Sequence, residues 1–298
     1  MPEGPEVVIT TQYLNTKLRN KKLHKVKIMS GRYTHQKLKG IDLLQKKEYV
    51  IKNIYSKGKF IYFELKNKDG DAFIMNTLGM TGRWGFYEDQ NSRVKFIIKA
   101  NNGKTYNLYF TDPLNFGTLT FTNSRTVLDK KLKDIAIDIL TSNIDTKQLT
   151  RHIVNFMNKS RKDLNLVKIL MDQTSIVSGI GNYLVAEILY DAQLSPHRSL
   201  PELNRKELVR LADSMRRIVK TAYYENTTGY MKHFKDFMKK HKKRIEKGKY
   251  PNYHSDIVCK EAFKFKVYGE KKDPLGNDVQ KDEIVKGRMI HWVPAIQK

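Results

Sequence analysis

The chain has 298 residues, with 56 lysines and arginines against 31 aspartates and glutamates and a formal net charge of +25. At 40% hydrophobic and 29% charged residues it falls outside the polar, core-poor class of disordered chains, and it lacks the run of about twenty apolar residues needed to cross a membrane as a helix. So large a basic excess favours a polyanion through counterion release and steering. Nucleic acid leads a membrane surface, because the basic residues are spread along the chain and not gathered on one amphipathic helix.

In chain order, the start MPEGPEVVITTQ has neither the basic opening nor the apolar run of a secretory signal, so an intracellular protein is expected, nuclear if eukaryotic and otherwise cytoplasmic or viral. Residues 5–18 (PEVVITTQYLNTKL) open with a proline suited to a first helical turn, and Val7, Val8, Tyr13, Leu14 and Leu18 fall on helical spacings, which predicts a helix. From about 21 to 122 the chain turns to short runs, KVKIM, FIYFEL, DAFIM, VKFIIK, YNLYF and TLTF, separated by Gly, Asn and Asp. Such spacing predicts an antiparallel β-sandwich.

Between roughly 123 and 148 the strand pattern lapses, and a domain boundary is expected there. From 147 to about 246 the period is helical, in LTRHIVNFM, LNLVKILM, YLVAEILYDA, KELVRLADSMRRIVKTAYY and MKHFKDFMKKHKKRI. The lysine-rich stretch Met238 to Lys249 reads either as a solvated helix end or as a contact with the DNA backbone. After it, AFKFKVYG, VQKDEIV and RMIHWV return to strand-like runs, with DPLGN and KG as turns. The fold class is therefore α+β: an N-terminal antiparallel β-sandwich with a leading helix over 1–130, a helical domain over 131–260 and a β-hairpin over 261–298. The single cysteine, Cys259, excludes an intrachain disulfide and a multi-cysteine zinc site and is read as a bystander thiol.

Pro2 to Val7 (PEGPEV) resembles the N-terminus of the formamidopyrimidine-DNA glycosylase and endonuclease VIII family, in which the initiator methionine is lost and the proline amine attacks DNA. The chemistry suits the residue. A free α-amino group has a pKa near 8 against about 10.4 for lysine, so roughly a tenth of it is nucleophilic at neutral pH. Attack on the sugar C1′ expels the base and leaves an iminium ion, which cannot discharge by losing an N–H proton and so acidifies C2′ for elimination. A neighbouring acid and base must move protons. The resemblance gives that catalytic role to Glu3 and a supporting role to Glu6, which equally suits the dipole of a first helical turn.

The same resemblance extends along the chain. Ser56 to Phe60 (SKGKF) resembles the family's lysine site, so Lys59 would polarise the leaving base and contact phosphate. Leu78 to Gly82 (LGMTG) resembles the loop that fills the gap left by an extruded base, with Met80 as the wedge. Asp112 to Gly117 (DPLNFG) resembles a second intercalating loop. Many formamidopyrimidine-type members carry an arginine there before Phe-Gly, whereas here Leu114 and Asn115 precede Phe116, which counts against a dedicated 8-oxoguanine enzyme.

Asp172 to Glu187 (DQTSIVSGIGNYLVAE) resembles the helix–two-turn–helix, where Gly179 and Gly181 would allow a tight turn and close backbone approach, the following helix amides would meet phosphate, and Asn182 would add a donor. The terminal hairpin resembles the family's finger without its metal, since Val293 and Ile296 stand where a Cys-Pro-x-Cys pair would be. Trp292, Val293, Ile296 and Leu275 are expected to pack in place of zinc, and Arg288 to grip phosphate.

The resemblance implies a monomeric bifunctional DNA glycosylase and abasic-site lyase of base excision repair, needing neither metal nor cofactor. It would excise oxidised pyrimidines from damaged double-stranded DNA, with the choice between double and single strands left open, and cleave by β,δ-elimination, with DNA in a basic cleft between the domains. A purine-preferring formamidopyrimidine enzyme and a silent binder of damaged DNA are the alternatives.

Overall fold

Pro5 and Glu6 start the first helix as its N-terminal turn favours, and α1 (Gly4–Leu18) buries Val7, Leu14 and Leu18 completely. The computed structural model describes residues 2–160, 163–226, 228–247 and 263–298; Cys259 lies outside them, as does the end of the lysine-rich stretch. The chain divides into two compact units, one made of Pro2 with Glu6–Asp134 and the other of Glu3–Pro5 with Ile135–Lys298.

The first unit holds β1 (Lys22–Ile28), the short helix α2 (Asp42–Gln45), β2 (Tyr49–Lys57), β3 (Phe60–Asn67), β4 (Gly70–Thr77), β5 (Arg83–Gly85), β6 (Ser92–Lys99), β7 (Thr105–Thr111), β8 (Thr118–Thr122) and α3 (Arg125–Asp134). The eight strands form one antiparallel ladder in the order β5-β7-β6-β1-β2-β3-β4-β8. That ladder nevertheless packs as a sandwich. Strands β5 and β3 lie five places apart, about 24 Å along a flat sheet, yet the Trp84 ring of β5 sits 5.2 Å from Phe63 of β3, and also 5.2 Å from Phe96 and from Phe110. The sheet has curled over its own core. Two strands escape the sequence reading: β2, whose run YVIKNIYSK has lysine and asparagine breaking its apolar pattern, and the three-residue β5.

The second unit holds β9 (Ile137–Asp138), α4 (Thr146–Lys159), α5 (Leu166–Met171), β10 (Val177–Ser178), α6 (Asn182–Asp191), α7 (Arg205–Tyr224), α8 (Lys235–Met238), α9 (His241–Glu246) and the hairpin of β11 (Gln280–Val285) with β12 (Arg288–Trp292). Caps account for the helix starts: Asp145 and Asn204 complete capping boxes with Gln148 and Glu207, and Asn165 accepts from Val167 N and Lys168 N. The segment MKHFKDFMKKHKKRI, expected as one helix, is a 3-10 turn over Tyr230–Phe234 followed by α8 and α9.

The run AFKFKVYG is not a strand over its described residues, 263–269. Its amides have another partner, since Lys266 N, Val267 N and Tyr268 N all donate to the buried Glu187 carboxylate of α6, at 2.9 to 3.1 Å. Burial pushes that carboxyl up, and the three amides oppose the shift.

Candidate active site

The site begins with a carboxylate at the start of a helix. Glu3 is fully buried and accepts from Gly181 N at 2.7 Å, Tyr183 N at 2.9 Å and Leu184 N at 3.2 Å, the amides that open α6. These donors face an anion with the helix dipole behind them, an arrangement that suits an ionised side chain. One residue on, Gly4 N donates to Gly179 O at 2.7 Å. Glu3 by its side chain and Gly4 by its amide are thereby tied to the turn before α6.

The two glycines of that turn have distinct reasons. Gly179 sits at φ +103°, where a side chain would be strained, and its N–H goes to Gln173 Oε1 at 2.8 Å. Gly181 has an extended φ of −137°, but a Cβ on it would lie 2.5 Å from the Glu3 carboxyl carbon. The resemblance places phosphate at Gly179, Gly181 and the α6 amides. In the structure Gly181 N, Tyr183 N and Leu184 N donate to Glu3, and Gly179 N donates to Gln173. Asn182 gives one Nδ2 hydrogen to Met289 O of β12 at 3.2 Å and retains the other; its Oδ1 is buried with no hydrogen-bond partner among the described residues.

Arg288 opens β12 directly after the Lys286–Gly287 turn, so the Asn182–Met289 bond brings it beside the start of α6. The hairpin is seated by Val293, which is fully buried in a cluster with Ala186, Tyr190 and Val267, and by the partly buried Ile296. Trp292 contributes through its indole N–H, which donates to Asp282 Oδ2 at 2.7 Å. Leu275 is 73% exposed, which corrects its expected packing role: it rides on the tip of a turn closed by Asp273, whose carboxylate accepts from Leu275 N and Asn277 N. Among the described residues no group of three His, Asp or Glu side chains could hold a metal ion.

In the first unit, Gly58 at φ +56° and Lys59 form the two-residue turn between β2 and β3, so Lys59 directly precedes the first residue of β3. Register places the rest of the expected machinery at this end of the sheet. Phe60 pairs with Thr77 and Thr77 with Thr118; the loop carrying Met80 leaves β4 after Thr77, and the loop carrying Leu114, Asn115 and Phe116 enters β8 at Thr118. Met80, Leu114 and Phe116 are exposed at 42%, 47% and 59%, which is uncommon for apolar side chains close together and fits a surface that meets something. Asn115 adopts φ +57° in the left-handed region that asparagine tolerates.

Three residues that sequence reasoning passed over organise these loops. Asp112, fully buried, accepts from Gly117 N at 2.7 Å and from Thr81 Oγ1 at 3.3 Å, tying one loop to the other. Arg93 donates through Nε to Asp112 O at 2.8 Å, and Arg32 through Nη2 to Gly117 O at 2.6 Å. The available signal was Ser30 to Thr34 (SGRYT), a polar turn inside a strand-rich region. Pro2 and Glu6 are both buried at the head of α1.

Comparison with known proteins agrees with this organisation. Family models described as the formamidopyrimidine-DNA glycosylase N-terminal domain, H2TH domain and C-terminal domain match residues 1–119, 135–233 and 255–298. A formamidopyrimidine-DNA glycosylase of Wolbachia pipientis wMel is 30% identical over 227 residues, covering 74% of this chain and 78% of that protein. One from Prochlorococcus marinus strain MIT 9312 is 26% identical over 327 residues, with both chains covered in full. The fold matches that of the Lactococcus lactis Fpg (MutM) protein, crystallised with DNA containing an oxidised pyrimidine, at a TM-score of 0.74, 22% identity and full coverage of both chains. The chain belongs to the formamidopyrimidine-DNA glycosylase family and is a DNA glycosylase of base excision repair with abasic-site lyase activity.

Proposed function

We propose that the chain, once Met1 is removed, uses the Pro2 amine to displace a damaged base from C1′ and cleaves the resulting iminium-linked strand by β,δ-elimination. The supporting observation is the seat of Glu3: three helix amides fix a carboxylate one residue from the amine, so the nucleophile is held and does not trail from a free terminus. Glu3 then receives and returns the proton that passes between the amine, C2′ and the opened sugar oxygen, while Glu6 supports the head of α1. Lys59 polarises the leaving base, Met80, Leu114, Asn115 and Phe116 occupy the gap, and Asn182 and Arg288 hold phosphates.

The substrate in this reading is an oxidised pyrimidine in duplex DNA. It is supported by the absence of a guanidinium on the loop residues Leu114 and Asn115, and by apolar packing around Val293 where the family's finger would carry thiols. Both traits resemble the endonuclease VIII-like branch. A purine preference is the second reading, favoured by the name of the relatives and by a Lactococcus lactis Fpg (MutM) structure with formamidopyrimidine-dG DNA. Excision rates on matched duplexes and single strands decide between them. Oxidised pyrimidines should be removed at least about tenfold faster than 8-oxoguanine or formamidopyrimidine lesions, a margin that pocket discrimination can supply. The opposite order would overturn the pyrimidine assignment.

A further inference from the structure

The exposed apolar side chains Met80, Leu114 and Phe116 stand on two short loops, yet the backbone beneath them is held by a polar brace with partners on both sides. Gly117 O, immediately after Phe116, accepts from Arg32 Nη2 at 2.6 Å and from the Tyr33 hydroxyl at 2.8 Å. Asn115 Oδ1 accepts from Arg32 N at 3.4 Å. On the other flank, Arg93 is only 8% exposed and donates to Asp112 O, to Pro113 O at 3.2 Å and to Ser30 Oγ at 2.9 Å. Asp112 reaches across to Thr81 of the Met80 loop, and Leu114 N donates back to the same hydroxyl at 3.4 Å.

Packing closes the brace from behind. Gly31 takes φ +74°, and a Cβ there would come within 2.7 Å of Arg93 Cδ as well as colliding with Asn115 Oδ1. The Arg32 guanidinium lies 5.1 Å from the Tyr33 ring, its Nε buried without a hydrogen-bond partner among the described residues. Leaving a buried guanidinium donor unmatched is costly, so the position of Arg32 is not one that local convenience selects. What it obtains is one charge-assisted bond to the carbonyl at the foot of the wedge.

We infer that Arg32 is a positioning residue, which with Tyr33 and Arg93 holds Phe116 and Met80 as one preformed wedge and thereby sets how well the enzyme works on base-paired DNA. Unstacking and unpairing a nucleotide costs a few kcal/mol in a duplex and much less in a single strand. A wedge that is already ordered loses little conformational entropy on entering the stack, whereas one that must order as it enters loses more, and only the duplex reaction depends on that difference. The inference rests on the proposed base excision.

The test compares single-turnover excision of one oxidised pyrimidine from a duplex and from the same strand alone, for the native protein, Arg32→Ala, Arg32→Lys and Tyr33→Phe. Loss of a charge-assisted bond predicts a fall of at least about tenfold in the duplex rate for Arg32→Ala. The single-strand rate should fall far less, and Arg32→Lys should recover part of the duplex loss. Tyr33→Phe, which removes a hydroxyl and keeps the ring, should show a smaller duplex-selective loss and serves if Arg32→Ala does not fold. Equal losses on both substrates, or no loss on either, would overturn the inference. Borohydride trapping of the native protein on abasic DNA separates the two ideas: failure to trap rejects the proposed chemistry, while trapping without duplex selectivity in the variants rejects only the brace.

Discussion

Gly181→Ala is the substitution whose effect the site geometry fixes most closely. The new methyl would lie 2.5 Å from Glu3 Cδ, 2.6 Å from Oε1 and 2.9 Å from Cγ, and carbon atoms at rest stand about 3.5 to 4.0 Å apart, so the carboxylate must retreat by about 1 Å. Its bonds to Gly181 N, Tyr183 N and Leu184 N, at 2.7, 2.9 and 3.2 Å, cannot all survive such a shift. Hydrogen bonds to a charged group contribute about 1.5–3 kcal/mol each, so losing one and lengthening the others should lower stability by about 2 to 4 kcal/mol. A displacement of that size beside a nucleophile costs about a hundredfold in rate. Borohydride trapping on abasic-site DNA should therefore slow by about two orders of magnitude, while affinity for undamaged DNA should change little. Thermal unfolding followed alongside should show the variant folded but less stable. Native trapping rates in Gly181→Ala would refute the claim that the Glu3 seat positions Pro2.

Lys59→Ala should slow removal of an oxidised base by about a hundredfold, within the usual range for a lost acid–base partner, and slow cleavage at a preformed abasic site much less; the reverse order would reject its leaving-group role. Arg288→Ala should weaken binding to damaged and undamaged duplexes alike and reduce the slope of log K against log salt by about one, as measured by titration at several salt concentrations. Burial of His241 lowers its pKa from 6.5 to about 4, with Nε2 at 3.0 Å from Tyr223 O. A depressed pKa means that the unfolded chain takes up the proton first, so stability present above pH 6.5 declines as pH falls toward 4, by up to about 3 kcal/mol. Chemical denaturation across that window should show the decline in the native protein and a flatter profile in His241→Gln.

Much of this was legible because the informative residues lie in short contiguous runs. PEGPEV, LGMTG, DPLNFG and SGIGN each keep sequence neighbours together in space, and the period-2 runs map onto β1, β3, β4, β6, β7 and β8. What escaped depends on partners far apart in sequence. Nothing local marks Glu3 as the acceptor for amides 178 to 181 positions away. AFKFKVYG alternates like a strand, but a buried glutamate 79 to 81 residues earlier claims its amides. Arg32 bonds the carbonyl of Gly117, 85 residues on, and its turn contains no run that would single it out. Leu275 is apolar and was assigned to the core, whereas the Asp273 turn holds it outward.

The proposed chemistry turns on the identity of the nucleophile. Incubation of the mature protein with abasic-site DNA and sodium borohydride, followed by peptide mapping of the trapped complex, addresses it directly. The DNA should be found on the amine of Pro2, and blocking that amine or substituting Pro2→Ala should sharply reduce capture. Capture at a lysine, or undiminished capture with the terminal amine blocked, would contradict it.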